Sequence, residues 1–118
     1  MFGTAMTTPA MTGCADAAFR RADARLNAQW AKTMRTYKRA GSFNKRAGEQ
    51  LGAFDNLLRG QRAWLHYRDA TCRAQGLVTG GGTLAPMNEI LCGANITDLR
   101  TKELFDLSRN PNDPDEAL

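Results

Sequence analysis

The sequence has 118 residues, of which 42% are hydrophobic and 24% are charged, with 11 glycines and 4 prolines. This composition excludes collagen-like and wholly disordered chains, and the length suits one domain with a single core. The formal net charge of +4 hides an asymmetry, because residues 20–73 hold 13 Lys/Arg against 4 Asp/Glu, whereas residues 89–118 hold 3 against 7. A single histidine, His66, and the lack of phosphate-loop, metalloprotease and nucleophile-elbow motifs argue against an enzyme.

The first predicted element is a long amphipathic helix over residues 12–40, preceded by a flexible segment over residues 1–11. Hydrophobic and small side chains recur through the helix at spacings of three and four, which places them on one face. Basic side chains recur with the same period about half a turn away, so we expect them to form an outward basic face. This basic face consists of Arg21, Arg25, Lys32, Arg35 and Arg39.

A second long helix is predicted over residues 44–75. Its inward face is expected to include Leu51, Phe54, Leu58, Gln61, Leu65 and Cys72, with Leu57, Trp64 and Tyr67 beside it. The glycines in its first half weaken a helix by about 1 kcal/mol each relative to Ala, or they mark points where another helix approaches closely.

Residues 76–82 contain three consecutive glycines and are predicted to form a loop, because glycine loses the most backbone entropy in a helix. Thr83 is the expected N-cap of a third helix, with Pro86 in its first turn. Gly93 could interrupt this helix. Residues 109–118 are expected to be a disordered acidic tail. The predicted fold is therefore an all-α, up-down three-helix bundle, with residues 12–108 as its single domain.

Two of the three cysteines, Cys72 and Cys92, lie nearly symmetrically about Gly82. In an antiparallel helical hairpin such residues face each other, which predicts a disulfide worth about 3 kcal/mol. Pairing of the first two helices would also bring Cys14 level with Cys72, so a Cys14–Cys72 bridge is an open alternative. No metal site and no cofactor are predicted, because the chain has no CxxC pair and His66 is poorly spaced from the cysteines.

Polar residues near the middle of the first two helices are candidates either for fixing the helix register or for binding a ligand. The i,i+4 spacing of Trp64 and Arg68 lets the guanidinium lie over the indole. Asp69 follows Leu65 by four and is expected to need a buried partner. Antiparallel pairing of the helices predicts an Asn27–Gln61 bond and an ion pair from Asp23 to an arginine. The candidates are Asp23, Asn27, Gln61, Trp64, Arg68 and Asp69.

Several blocks of the sequence together resemble a known family. They are the AD-x-R-LN stretch over residues 22–27, the QRAWL-x-YRD block over residues 61–69, the two cysteines beyond it and the Gly80-Gly81 pair between them, with Thr97, Arg100 and Leu104 further along. The pattern resembles the LprI-like lysozyme-inhibitor domain, a family of small secreted or lipid-anchored bacterial envelope proteins. The resemblance implies an all-helical fold, an envelope location and two disulfides, one of them joining Cys72 to Cys92.

The sequence departs from this family pattern at two places. Arg25 stands where the family usually has an acidic residue. The family also has a further cysteine about a dozen residues before Cys14, which would fall near Phe2. Cys14 is therefore the expected free thiol, and a homodimer linked through it is a possible consequence.

The leading functional hypothesis is a non-enzymatic envelope protein, periplasmic or secreted with its signal peptide removed, that binds another protein as a lysozyme inhibitor does. Because animal-type lysozymes are strongly basic, the basic helix face would not steer the chain toward them. The alternative is a scaffolding protein whose basic face contacts anionic lipids, lipopolysaccharide or acidic partners. Nucleic acid is a disfavoured partner in a disulfide-permissive compartment, and no membrane span is predicted, because no hydrophobic run approaches about 20 residues.

Overall fold

The computed structural model describes residues 8–40, 52–78, 80, 82 and 84–109 of the chain. These ranges contain three helices and no strand: α1 (Thr8–Ala40), α2 (Ala53–Val78) and α3 (Ala85–Ser108). Contacts between the helices confirm the up-down order. Cys72 of α2 is bonded to Cys92 of α3, and the Lys38 ammonium of α1 lies 5.0 Å from the Phe54 ring at the start of α2. The predicted all-α three-helix bundle is thus confirmed.

The helix ends differ from the predicted ones at several points. α1 begins at Thr8, four residues before the predicted start, and α2 continues to Val78, so Gly76 is helical and not part of the loop. The carbonyl of Gly52 accepts the first hydrogen bond of α2, from the Asn56 amide at 3.2 Å. The flexible segment predicted over residues 1–11 is wrong for residues 8–11, which are helical. Residues 1–7, 41–51 and 110–118 lie outside the described residues, and with them the rest of that segment, the predicted start of the second helix with Leu51, and the predicted tail beyond residue 109.

The third helix corrects two further predictions. Leu84 is its N-cap, without a side-chain hydrogen bond, in place of the expected Thr83, and Pro86 lies in the first turn. The helix passes through Gly93 without a break. A Cβ atom added at Gly93 would lie 2.6 Å from Cε2 of Phe19 in α1. Gly93 therefore lets α1 and α3 approach closely and does not end the helix.

The core lies around α3, which packs against both other helices and most extensively against α1, whereas α1 and α2 share few contacts. Leu26, Leu57, Trp64 and Leu104 form its central cluster. Small residues, including Ala22 at 0% exposure, line the contact between α1 and α3. Because these residues are small, the two helices approach each other closely here.

The inward face of α2 differs from the predicted one. Its buried residues are Leu57, Gln61, Trp64, Cys72 and Gly76. Leu65 and Tyr67 are 40% and 58% exposed, although both were expected in or beside the core. The helix is turned so that the side containing Leu57 and Trp64 faces inward, because its main neighbour is α3 and not α1.

A buried hydroxyl links α1 to α3. Thr33, fully buried, donates from Oγ1 to the carbonyl oxygen of Leu104 at 2.9 Å. Gln29 donates from Nε2 to Thr33 Oγ1 and to Ser108 Oγ, at 3.2 and 3.3 Å. Every buried side-chain polar atom of the described residues has a partner. These bonds fix the register of α1 on α3, because a shift of either helix would leave buried donors unpaired.

We expect Trp64→Ala to lower the free energy of unfolding by about 3–5 kcal/mol, since the indole is 9% exposed and its loss leaves a cavity. Chemical denaturation followed by circular dichroism measures the effect. Tyr67→Ala, at a 58% exposed site of the same helix, is the control and should change stability by less than about 1 kcal/mol. Equal losses for the two variants would contradict the observed rotation of α2.

A pair of glycine substitutions tests the close approach of α1 and α3. Gly93→Ala should destabilise the protein by about 1–3 kcal/mol, because the new methyl group overlaps the Phe19 ring. Gly60→Ala, where a Cβ meets nothing within 4 Å, should stabilise it by about 0.5–1 kcal/mol through helix propensity. The measurement is the midpoint of thermal unfolding of each variant compared with that of the unmodified protein. A Gly93→Ala variant that is more stable than the unmodified protein would contradict the close packing of α1 on α3.

Candidate functional site

Arg68 lies where the three helices meet. Its guanidinium carbon is 5.2 Å from the centre of the Trp64 ring, as the i,i+4 spacing predicts, and 5.1 Å from that of Phe19 in α1. The Arg68 side chain is only 12% exposed. Its Nη1 donates to Thr97 Oγ1 of α3 at 3.4 Å and its Nε donates to Asp69 at 2.9 Å. One side chain of α2 thereby contacts both other helices through stacking and hydrogen bonds.

A groove of about 460 Å³ opens beside Arg68 and is here called the three-helix groove. It is lined by hydrophobic side chains, by the Arg68 guanidinium and by three carboxylates. With three carboxylates and one guanidinium, the groove carries a net charge of −2 and favours cationic groups. Its lining consists of Asp16, Phe19, Arg68, Asp69, Cys72, Pro86, Glu89, Ile90 and Gly93.

The sequence patterns did not predict this groove. No sequence pattern singles out Asp16 or Glu89. Asp69 was expected to face the core, yet its side chain is 70% exposed. Each helix contributes one carboxylate to the groove, and no spacing within a single helix can reveal such a set. The sequence feature that could have indicated this groove is Gly93, because a glycine inside a regular helix often marks the close approach of another helix.

The predicted Asn27–Gln61 bond is wrong. Gln61 Oε1 instead accepts a hydrogen bond from Nε of Arg100 in α3, at 2.9 Å, and Asn27 is exposed. Asp23 is half-buried and forms no ion pair with an arginine within the described residues. The physical reason is again that α2 lies against α3, so its polar side chains find their partners there. Gln61 and Arg68 link α2 to α3, whereas Asp23 and Asn27 do not link α1 to α2.

A second groove, of about 500 Å³, runs between α2 and α3 and includes Tyr67, Leu99 and the edge of Trp64. Leu99 is 65% exposed and Tyr67 is 58% exposed. Arg100, only 14% exposed and 3.4 Å from Glu103, forms part of its wall. This groove is hydrophobic with a balanced pair of charges, and so differs from the three-helix groove.

The five residues of the predicted basic face are all exposed. Arg25 forms a two-pronged ion pair with Asp98 of α3, with distances of 2.9 and 3.0 Å from Nη2 to the two carboxylate oxygens. Both side chains are about half exposed, so the pair contributes at most about 1 kcal/mol. Arg25 therefore joins α1 to α3, while the other four residues of the face point away from the bundle.

The predicted disulfide is present. Cys72 and Cys92 are joined with a Cα–Cα distance of 5.4 Å, and both are buried. Cys14 is a free, half-buried thiol, so the alternative Cys14–Cys72 bridge is wrong.

Within residues 8–40, 52–78 and 84–109, no three His, Cys, Asp or Glu side chains could together hold a metal ion. No helix in these ranges is long and apolar enough to cross a membrane.

Comparison with known proteins identifies the family to which this chain belongs. A sequence model described as "Lysozyme inhibitor LprI" matches residues 3–104. The chain belongs to the LprI family. A relative from Rhizobium meliloti (strain 1021), described as an uncharacterised protein, is 38% identical over 98 residues, which cover 80% of this chain and 68% of the relative. No solved structure matches significantly.

Family membership accounts for part of the observed structure. The helical fold and the Cys72–Cys92 bridge are those that the LprI resemblance implied. The description of the family names inhibition of lysozyme. Arg25, which departs from the family pattern, is accommodated here by Asp98. With three cysteines, the chain cannot form two disulfides within itself.

We expect peptide mapping without reduction to recover a peptide linked through Cys72 and Cys92. Replacing both by Ser should lower the free energy of unfolding by about 3 kcal/mol, because the bridge closes a loop of about 20 residues and restricts the unfolded chain. Chemical denaturation of oxidised protein gives the measurement. Alkylation of both thiols under non-reducing conditions would contradict the bridge.

Cys14→Ser is the matched control, because this variant retains the bridge and should unfold like the unmodified protein. A dimer linked through Cys14 remains a prediction. Aged protein should show a dimer band on a non-reducing gel that reductant removes and Cys14→Ser abolishes. A dimer that survives Cys14→Ser would contradict the assignment of Cys14 as the reactive thiol.

Proposed function

We propose that this chain is a non-enzymatic binding protein of the bacterial envelope, which acts by protein–protein contact and whose partner is a lysozyme. The observation that carries the proposal is the match of the lysozyme-inhibitor family over residues 3–104, nearly the whole described bundle. The buried disulfide supports a periplasmic or secreted location, since such bridges persist in oxidising compartments. A helical bundle that is cross-linked by a disulfide and has a groove where its three helices meet is suited to binding.

The three-helix groove is the surface that we assign to the partner. Asp16, Asp69 and Glu89 lie beside the hydrophobic side chains of Phe19 and Ile90, an arrangement that can receive a lysine or arginine by its charge and by its alkyl stem. The common animal-type lysozymes are rich in such side chains. The local negative charge of the groove thus attracts a basic partner at short range, which the basic face of α1 does not.

Hydrophobic side chains close to the groove extend this surface. Leu77 and Val78, in the last turn of α2, are 62% and 85% exposed. They follow Gly76, whose missing side chain would lie 3.2 Å from the Glu89 carboxylate. Exposed hydrophobic residues surrounded by polar ones often anchor a protein interface. The basic face of α1 lies on a different side, so it does not oppose a basic partner at the groove.

The test measures binding to a basic animal-type lysozyme by calorimetry and inhibition of peptidoglycan lysis by turbidity. The unmodified protein should bind and inhibit. Asp16→Asn/Glu89→Gln should weaken binding about tenfold or more, because two of the carboxylates that attract the cationic partner are neutralised. Asp69 is left unchanged because it also pairs with Arg68.

Asp55→Asn/Asp106→Asn is the matched control, since it removes two carboxylates from exposed sites outside the groove. Binding should change less than about threefold in this variant. Equal loss in both double variants would show that net charge and not the groove determines affinity. The absence of any binding or inhibition by the unmodified protein would refute the lysozyme assignment itself.

A further inference from the structure

The outer surface of α1 carries an excess of positive charge along most of its length. After Asp23, α1 has no acidic residue up to its end at Ala40. Over the same stretch it contains Arg25, Lys32, Arg35, Lys38 and Arg39. The last turn alone can be explained by the helix dipole, which favours cations at a C-terminus. The dipole does not account for the basic residues farther from the C-terminus of the helix. Arg21, which precedes Asp23, is a further basic residue of this kind.

The geometry of the basic face is a straight row. Its five members follow at intervals of four, seven, three and four residues, which places them on one side of the helix over about 27 Å. Lys32, Arg35 and Arg39 are separated by about 4.5 and 6 Å along the helix axis, within a Debye length of about 8 Å at physiological salt, so these three act on a partner together. Four of the five, all except Arg25, form no ion pair with any described residue. The row therefore presents unneutralised charge to the solvent.

The outer face of α2 offers a direct comparison. It also has three exposed arginines, Arg59, Arg62 and Arg73, but Asp55 and Asp69 lie on the same side of the helix at helical spacing. Carboxylates thus lie among the arginines on this face, as on an ordinary solvated helix. The basic face of α1 lacks this balance, apart from the single pair of Arg25 with Asp98.

We propose that the basic face of α1 is a docking surface for an anionic phospholipid membrane. Charge complementarity selects an anionic partner, and the straight row fits a planar array of phosphate groups. Between the basic residues the helix exposes Ala24, Ala28 and Thr36, which cannot stack on nucleobases or insert deeply into lipid. The contact is therefore peripheral and electrostatic. The membrane-bound protein leaves the three-helix groove, on the other flank of α1, free for its protein partner.

The experiment is co-sedimentation of the full chain with vesicles. Vesicles containing phosphatidylglycerol should bind the protein at about 0.05 M salt and release it at about 0.5 M, whereas pure phosphatidylcholine vesicles should not bind it. Arg21→Gln/Arg35→Gln/Arg39→Gln should weaken binding about tenfold or more, since three contacts to phosphate are lost. All three side chains are exposed, and circular dichroism checks that the fold is retained.

Arg59→Gln/Arg62→Gln/Arg73→Gln is the matched control, because it lowers the net charge by the same three units on the outer face of α2. This variant should retain vesicle affinity within about threefold. Equal weakening in both triple variants would overturn the proposal, because net charge alone would then explain binding. Failure of the unmodified protein to bind anionic vesicles, or tighter binding to duplex DNA than to them, would overturn it as well.

Discussion

The rest of the structure depends on the position of α3 between the other two helices. On one side Gly93 lies against Phe19 so closely that a methyl group would overlap the ring. On the other side the disulfide holds α3 to α2. The steric contact determines the distance between α1 and α3. The disulfide determines the position of α2 along the axis of α3. Arg68 can reach Phe19 and Thr97 together only because both distances are fixed in this way.

Polar bonds give this arrangement its specificity. Hydrophobic contacts in the central cluster of Leu26, Leu57, Trp64 and Leu104 are not directional, so by themselves they oppose a slip of one helix along another less specifically than hydrogen bonds do. The hydrogen bonds of Thr33 and Gln61 make such a slip costly, because a buried donor or acceptor without a partner destabilises by about 1–3 kcal/mol. Each polar link joins α3 to a neighbour, so the central helix determines the register of both others.

The same packing separates two surfaces of opposite charge. Each helix contributes one carboxylate to the three-helix groove, while the basic residues of α1 lie on its outer side. A chain with a modest net charge can in this way attract cationic and anionic partners at different places. In the proposed functions, the three-helix groove binds a basic protein and the basic face of α1 binds a membrane. The two contacts are compatible because they use different flanks of one rigid helix.

The sequence by itself determined the local structure: three helices, the exposed basic face and the spacing that stacks Arg68 on Trp64. It also predicted the Cys72–Cys92 disulfide, symmetric about the glycine loop, but left a Cys14–Cys72 bridge open. These features depend on periodicity and on distance along the chain, which are properties of one helix or one hairpin. Only the tertiary structure decided which face of α2 is buried, why Gly93 is tolerated, and that Gln61 bonds to Arg100. The reason is that helical period shows which residues share a face, but not which helix that face meets. Because α2 packs on α3 and barely on α1, the predicted Asn27–Gln61 bond, the predicted Asp23–arginine pair and the alternative Cys14–Cys72 bridge were wrong.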